Sequence, residues 1–416
     1  MQYRHRVLER RMKRYLALFP AVAVTGPRQS GKSTLLRNSF PDLPYVSFDD
    51  PEEVRAAGLD PRRYLSRFPG SVILDEVQRA PELFFYLKLA IDAERQRRGR
   101  FILSGSNQFS LSRRLSESLA GRIGLLELHP FERSEMPKAA RVRQVLLGSY
   151  PELVMRAHDG AREWYSSYLA TYLERDVRLA NDVGKLSDFQ TLARLLAART
   201  SQEYNASSLA REAGVDSKTI ESWVSILEAS YLVFRLRPWY ANIGKRLVKR
   251  PKLYFWDTGL ACYLSGVRDQ ESLEAGPLGG PVLENLVIAE ILKAVAHRGT
   301  DVEVNYFRES NGLEADLLLN DREGGRRWVV DIKSGHTPKS EWMESLGRVA
   351  GLAVKPGGVA ACRRVIIYQG ETKRDWPSPG CDFLNFEEAV SEWQVGPKPA
   401  RGGKAPKARR KARREK

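Results

Sequence analysis

Residues 26–33 read Gly-Pro-Arg-Gln-Ser-Gly-Lys-Ser, and they follow directly on the apolar run Ala21-Val-Ala-Val24. The spacing G-x-x-x-x-G-K-S predicts a strand that ends in a glycine-rich turn and leads into a helix. Such a turn points backbone N–H groups at an anion, and the helix dipole adds to the attraction. In this pattern Lys32 reaches the β- and γ-phosphates of a nucleotide, and Ser33 holds Mg²⁺. The predicted nucleotide-binding loop comprises Gly26, Pro27, Arg28, Gln29, Ser30, Gly31, Lys32, Ser33 and Thr34.

A second segment has the pattern of a buried strand that ends in two acids, Ser71-Val-Ile-Leu74 followed by Asp75-Glu76. We predict that Asp75 binds the same Mg²⁺ as Ser33 and that Glu76 is catalytic, polarising the water that attacks the nucleotide. A lone glycine-rich turn could be only a tight connection between a strand and a helix. The order of loop, strand and acidic pair favours hydrolysis instead.

The first 130 residues alternate strand-like and helix-like segments, which predicts an α/β fold with a parallel sheet. Predicted strands cover residues 21–26, 45–49, 72–75, 101–104 and 123–128. One predicted strand lies between the nucleotide-binding loop and the acidic pair. The strand that follows the pair completes the order of the additional-strand type of P-loop ATPase. Its end offers three candidate sensors of the γ-phosphate, Ser104, Ser106 and Asn107. Arg122 is either an arginine finger or γ-phosphate sensor, or else it forms an ordinary surface salt bridge.

The net charge of +16 is unevenly distributed along the chain. Residues 397–416 hold ten Lys and Arg against the single acid Glu415, which predicts a disordered basic tail. Such a tail either binds nucleic acid through counterion release or serves only for solubility. The three cysteines are scattered and no apolar run reaches membrane-spanning length, so we expect a cytoplasmic protein without a membrane partner.

Residues 161–180 predict a helix with an apolar and aromatic stripe, and residues 186–240 predict a winged helix in which Asp216 caps the second helix. The outward positions of that helix are poor for reading bases. They are Ser217, Lys218, Glu221, Ser222, Ser225 and Glu228. A better footprint for an anionic partner follows, in Lys245, Arg246, Lys249, Arg250 and Lys252.

A second catalytic candidate lies towards the C-terminus. One predicted strand carries Asp316, and the next carries Asp331 and Lys333, which share a face because they are two residues apart. If these strands pair, Asp316 and Asp331 can bind a divalent metal and activate water, with Lys333 assisting. Glu284, in the first turn of a preceding helix, is a further candidate ligand. The alternative is a hairpin that carries an exposed Asp-x-Lys ion pair.

The motifs together resemble prokaryotic AAA-superfamily ATPases that combine a P-loop domain, a winged helix and a restriction-endonuclease-like domain. They are GPRQSGKS, VILDEVQRAPEL, ILSGS, LAGR, TYLERDVR, KRLVKRPKLYFWDTGLA, GPVLEN, EAD and DIKSG. The resemblance implies a P-loop domain over residues 1–135, a helical and winged-helix domain over 136–255 and an α/β nuclease-like domain over 256–394. The predicted basic tail over 395–416 lies outside the resemblance. The resemblance also implies adenine as the base.

From these features we predict an Mg²⁺-dependent ATPase that binds and remodels nucleic acid, most readily structured or branched DNA. It would act as a homo-oligomer, for which a hexameric ring is one arrangement. A second Mg²⁺ or Mn²⁺ would serve the nuclease-like site if that site cuts. The alternative from another functional class is a nucleotide-switched signalling or scaffold ATPase whose winged helix and inactive nuclease-like domain bind proteins.

Overall fold

The computed structural model describes residues 3–105, 119–172, 186–240, 250–353 and 362–395. Several residues singled out above lie outside these ranges, namely Ser106, Asn107, Lys245, Arg246, Lys249 and the basic tail. No helix in the described ranges is both long and apolar enough to cross a membrane.

Helices and strands alternate through the first part of the chain, and a second group of strands follows near its end. The strands are β1 Ala21–Thr25, β2 Tyr45–Ser47, β3 Val72–Asp75, β4 Phe101–Ser104, β5 Ile123–Glu127, β6 Val233–Leu236, β7 Lys252–Phe255, β8 Val302–Arg308, β9 Glu314–Asp321, β10 Arg326–Ile332, β11 Cys362–Tyr368 and β12 Cys381–Asn385. The helices are α1 Leu8–Leu18, α2 Lys32–Ser39, α3 Pro51–Leu59, α4 Pro61–Ser66, α5 Leu83–Ala93, α6 Lys138–Arg141, α7 Gln144–Leu147, α8 Pro151–Met155, α9 Ala161–Tyr172, α10 Leu186–Ala198, α11 Ala206–Ala213, α12 Ser217–Ala229, α13 Thr258–Ser265, α14 Gln270–Ala275, α15 Gly279–Arg298, α16 Ser340–Ala353 and α17 Phe386–Val395.

The first sheet has the order β2-β3-β4-β1-β5, and all of its neighbouring strands are parallel. Every residue of β1 and β3 is buried, because helices cover both faces of the sheet. Val22 and Val24 pack with α1 and α2 on one face, whereas Ala21 and Ala23 pack towards α3, α4 and α5 on the other. The insertion of β4 between β3 and β1 confirms the predicted α/β fold of additional-strand type.

A helical region with a two-stranded hairpin follows the first sheet. Asp216 caps α12, since its carboxylate accepts hydrogen bonds from the backbone N–H groups of Lys218 and Thr219. Gly214 ends α11 in the left-handed conformation, with φ of 69°. Strands β6 and β7 then pair antiparallel. Two short helices followed by a hairpin is the arrangement that a winged helix requires, and the winged-helix assignment stays a prediction.

The second sheet is mixed and has the order β12-β11-β10-β9-β8. Strands β8, β9 and β10 are antiparallel, whereas β10, β11 and β12 are parallel. In the β9–β10 pair, Val330 lies opposite Leu317, which brings the next residues on each strand, Asp331 and Asp316, together. This sheet is the core of a further α/β domain.

Helix α15 contacts both the β6–β7 hairpin and the segment that follows β5 of the first sheet. Near its start, the Asn285 side chain bonds both the N–H and the carbonyl of Phe255 in the hairpin, at 2.8 and 2.7 Å. At its end, His297 contacts the segment after β5 of the first sheet, where its Nε2 accepts the backbone N–H of His129 at 3.1 Å. The helix that the resemblance assigns to the third domain is therefore also packed against the first.

The buried imidazole of His297 makes the stability of the fold depend on pH. Its Nδ1 is 2.7 Å from a carboxylate oxygen of Glu132, and its Nε2 accepts a backbone N–H, so the neutral ring fits the site. Burial lowers the pKa of His297 well below its ordinary value, and burial also lowers the pKa of His129. The unfolded chain therefore binds more protons than the folded chain at acidic pH. Stability is fully present above about pH 6.5 and falls below it, by at most about 1.4 kcal/mol per pH unit for each such histidine.

Urea unfolding between pH 5.5 and 7.5 measures this dependence. We expect His297→Gln to reduce the slope of unfolding free energy against pH. A wild-type unfolding free energy that stays flat below pH 6.5 would contradict the neutral assignment of these rings.

Candidate functional site

The turn after β1 adopts a conformation that only glycine allows at its first position. Gly26 has φ of 144°, and a Cβ atom there would lie 2.1 Å from the carbonyl oxygen of Leu128. Gly31 has φ of 90° and precedes α2, which begins at Lys32. The loop thus closes against β5 and delivers its N–H groups to the N-terminus of α2, as the sequence predicts.

Lys32 is buried beneath the loop. Its Nζ donates to the carbonyl oxygens of Gly26 and Pro27, at 3.0 and 2.8 Å. Burial lowers the pKa of Lys32 to about 8, although the charges of Glu76 and Asp75 oppose that shift. The ammonium group is thus held at the base of the loop by weak neutral acceptors, which phosphate oxygens can replace.

Asp75 lies at the carboxyl end of β3, and its carboxylate accepts hydrogen bonds from three hydroxyl groups. Its Oδ2 accepts the Ser33 hydroxyl at 2.6 Å and the Tyr45 hydroxyl, and its Oδ1 accepts the Ser104 hydroxyl. Burial, with Asp75 beside it, raises the pKa of Tyr45 to about 12, so the phenol stays a donor. Ser33 and Asp75 are adjacent hard oxygen ligands, which fits the predicted Mg²⁺. Ser104, one of the predicted phosphate sensors, bonds this carboxylate.

Glu76 follows Asp75 and adopts a left-handed conformation, with φ of 52°. Its Oε2 accepts a hydrogen bond from Nε2 of Gln78. A cavity of about 370 Å³ opens here, and the sequence analysis missed two of its lining residues, Asp49 and Arg79, whose side chains pair at 2.8 Å. The lining residues are Arg28, Gln29, Gly31, Lys32, Ser33, Thr34, Asp49, Glu76 and Arg79. The structure thus brings most of the predicted nucleotide residues to one cavity.

A second cavity of about 290 Å³ adjoins the first and shares Gln29, Gly31 and Thr34 with it. Its other walls come from the N-terminal segment, α2 and the α8 region, which the sequence analysis did not identify. They are Tyr3, Arg4, Arg6, Asn38, Phe131, Pro151, Glu152 and Met155. Arg6 fixes this wall because its guanidinium donates to the carbonyl oxygens of Ser30 and His129, at 2.8 and 2.7 Å. These residues belong to no sequence motif, so only the folded structure shows that they line one cavity.

Arg122 lies away from both cavities of its own chain. Its Nε and Nη2 bond the two carboxylate oxygens of Asp92, at 2.7 and 3.0 Å, on the exposed side of α5. This geometry is that of the surface salt bridge, the alternative weighed above. The role of Arg122 at a neighbouring subunit stays a prediction.

Comparisons with known proteins agree with this geometry. Residues 18–137 match the family model described as an AAA domain, whereas residues 111–271 and 279–382 match domains of unknown function, DUF8612 and DUF4143. Uncharacterized proteins of Mycobacterium bovis and Mycobacterium tuberculosis are each 33% identical to this chain over 366 residues, which is 87% of this chain and 79% of theirs. The chain belongs to the family of these two mycobacterial proteins. Its first domain is an AAA-type P-loop ATPase domain.

This chain is also similar in part to solved structures. A Walker-type ATPase of Pyrococcus abyssi is 16% identical over 62% of this chain and 94% of its own, with a TM-score of 0.44. The RuvB Holliday junction branch migration motor of Thermotoga maritima is 16% identical over 55% of this chain and 93% of its own, with a TM-score of 0.27.

The nuclease-like residues of this family member meet at the end of the β9–β10 pair. The backbone N–H of Ile332 donates to Oδ2 of Asp316 at 2.8 Å, and Lys333 Nζ is 2.6 Å from Oδ2 of Asp331. Burial and the neighbouring charge of Asp316 raise the pKa of Asp331. Asp331 and Lys333 thus share a face, as predicted from their spacing.

A lysine lies among the carboxylates that the sequence predicts as metal ligands. Lys252 Nζ is 3.1 Å from Glu284, 2.7 Å from Glu314 and 3.6 Å from Asp316. Within the described ranges, no group of three acidic, histidine or cysteine side chains is placed to hold a metal ion. Glu284 and Asp316 come together as expected and both lie beside this ammonium group, whereas Asp331 pairs with Lys333. Metal binding by these acids stays a prediction.

The same contacts correct the predicted basic footprint. Lys252 is only 3% exposed and pairs with acids inside the molecule, so it is not available to an external anion. Arg250 is exposed, and the other members of the footprint lie outside the described residues. On α12, the acids Glu221 and Glu228 both pair with Arg235 of β6, at 3.1 and 2.5 Å. The outward face of α12 is thus partly engaged within its own module.

Proposed function

We propose that this protein hydrolyses ATP with Mg²⁺ at the cavity between α2 and the end of β3. The observation that carries the proposal is the contact between Ser33 and Asp75, 2.6 Å apart, beside Lys32 and Glu76. The loop, Ser33 and Glu76 line this cavity, and Asp75 bonds Ser33 from beside it. Together they form the set that nucleotide hydrolysis needs.

Each side chain has a distinct part in this proposal. Lys32 would exchange the carbonyls of its own loop for phosphate oxygens, and the loop N–H groups would bind the same phosphates. Mg²⁺, held by Ser33 and Asp75, would neutralise charge that develops on the phosphates. Glu76 would orient the attacking water and accept its proton, with Gln78 fixing the carboxylate.

The adjoining cavity is the place we propose for the base and ribose. Phe131, Pro151 and Met155 offer apolar contact to a base, and Asn38 and Glu152 offer polar groups. Its 290 Å³ lies beside the phosphate cavity and shares Gln29 and Thr34 with it, so one nucleotide can extend through both. We propose adenine as the base because of the family resemblance, since the polar groups of this cavity fit guanine as well.

We further propose that ATP turnover is coupled to DNA. The support is electrostatic, namely the net charge of +16 and the ten Lys and Arg of residues 397–416. Structured or branched DNA is the proposed substrate. Homo-oligomeric assembly belongs to the same proposal, and an arginine-finger role would require Arg122 to leave Asp92.

The test is the steady-state ATPase rate of the full chain with single-stranded, duplex and four-way-junction DNA at two salt concentrations. We expect one DNA structure to raise turnover several-fold, less so at high salt because phosphate contacts are screened. The Lys32→Ala variant is the background control, because any ATP turnover in its preparation comes from contaminating enzymes. A truncation after residue 395 shows whether the basic tail carries the response. Unchanged turnover with every DNA, alongside genuine wild-type activity, would contradict coupling to DNA.

A second candidate is a nucleotide-switched protein that binds another protein. The pairing of Glu221 and Glu228 with Arg235 favours it, since this face of α12 offers little to DNA bases. A stable protein complex that forms with ATP and dissociates after hydrolysis, without any response to DNA, would support this candidate over the first.

A further inference from the structure

Lys252 is a buried cation surrounded by carboxylates. Its side chain is 4% exposed, and Nζ lies 2.7 Å from Glu314, 3.1 Å from Glu284 and 3.6 Å from Asp316. The Tyr254 hydroxyl donates to the same oxygen of Glu284 at 2.7 Å. One ammonium group thus bridges acids from helix α15 and strand β9.

The lysine comes from the hairpin and not from the mixed sheet. It begins β7, which pairs with β6, whereas the acids belong to α15 and β9. The hairpin is held on both sides of Lys252. Asn285 bonds the backbone of Phe255, and the Tyr306 hydroxyl donates to the carbonyl oxygen of Arg250 at 2.6 Å. The position of the ammonium group is therefore set by tertiary contacts.

This geometry does not fit a divalent metal ion. A metal such as Mg²⁺ or Mn²⁺ needs carboxylate oxygens at about 2.0–2.2 Å around a common centre. Here the oxygens that converge from Glu284, Glu314 and Asp316 already surround Nζ, and the remaining acid, Asp331, pairs with Lys333 at 2.6 Å. Two cations cannot occupy one such centre, because their repulsion is strong where water is excluded.

We propose that Lys252 is a built-in cation in the place of a divalent metal, so that this cluster binds neither Mg²⁺ nor Mn²⁺ while the hairpin is seated. The C-terminal domain then uses its nuclease-like acids to hold the β6–β7 hairpin. Metal-dependent cleavage does not occur in this conformation. The inference concerns a site separate from the P-loop, and it stands whether or not that loop hydrolyses ATP.

The test is Mn²⁺ binding to the nucleotide-free full chain. The electron paramagnetic resonance signal of free Mn²⁺ measures how much of the added metal stays unbound. Lys252→Met removes the charge and keeps the length of the side chain. We expect it to gain one Mn²⁺ site that the wild-type protein lacks, because three carboxylates lose their cation. Lys252→Arg keeps the charge and should gain none. Adding Asp316→Asn to Lys252→Met should remove the new site.

Mn²⁺ binding to the wild-type protein gives a second measurement that does not depend on how the Lys252 variants fold. We expect no Mn²⁺ site that Asp316→Asn abolishes, and any weak binding should instead disappear in Asp75→Asn. A wild-type Mn²⁺ site that is lost in Asp316→Asn and kept in Asp75→Asn would overturn the proposal. A folded Lys252→Met variant without any gain would overturn it as well.

Discussion

Replacing Glu76 by glutamine is expected to lower ATP turnover at least about 100-fold while ATP affinity stays within about threefold. Glu76 lines the phosphate cavity together with Lys32 and Ser33, and Gln78 donates to its carboxylate. Glutamine keeps the size of the side chain and its polarity. It cannot accept the proton of the attacking water, so the chemical step alone should suffer.

Steady-state turnover and calorimetric binding of ATP separate the two effects. Glu82→Gln is the matched control, because it makes the same chemical change at an exposed position near the same turn. The control should keep wild-type turnover. If Glu76→Gln hydrolyses ATP at the wild-type rate, the second carboxylate is not the group that activates water.

Replacing Asp257 by asparagine is expected to lower the free energy of unfolding by about 2–4 kcal/mol. Asp257 is 2% exposed, and its carboxylate oxygens accept four hydrogen bonds. The donors are the N–H and hydroxyl of Ser149, at 2.7 and 3.1 Å, the hydroxyl of Tyr165 at 2.6 Å and the N–H of Leu260 at 3.0 Å. An asparagine would turn an NH₂ group towards one of these donors. The side chain cannot move away from that donor, because Gly148 packs closely against the carboxylate.

Urea unfolding at pH 7.5 measures the loss. The matched control is Asp269→Asn, at another helix N-cap where the carboxylate accepts the N–H of Ser272 at 2.7 Å in an exposed setting. Its loss should be much smaller, because asparagine is also a good N-cap. Equal losses for the two variants would show that Asp257 acts only as a cap and not as a buried centre.

The nucleotide cavity was largely predictable because its main residues sit in two short motifs. The loop and the acidic pair each follow a buried strand, and parallel strands bring their carboxyl ends to one edge of the sheet. Lys32, Ser33, Asp75 and Glu76 therefore meet as expected. Tyr45 and Arg79 were missed because neither belongs to a motif, and only the packing of β2 beside β3 brings the Tyr45 hydroxyl to Asp75.

The C-terminal site shows where sequence reasoning fails. The period of two along a strand correctly places Asp331 and Lys333 on one face, and the β9–β10 register brings Asp316 beside them. Sequence alone places Lys252 in an exposed basic run, since it shows charge without burial. The partners of Lys252 are 32 or more positions further along the chain, so their contact does not follow from local spacing.

The measurement that tests the central claim most directly is ATP hydrolysis by the purified full chain with and without Mg²⁺, with Lys32→Ala and Ser33→Ala compared side by side. The account predicts turnover that requires Mg²⁺ and is lost in both variants, with ATP binding weakened most by Lys32→Ala. Turnover that persists in Lys32→Ala, or a wild-type protein that neither binds nor hydrolyses ATP, would contradict it.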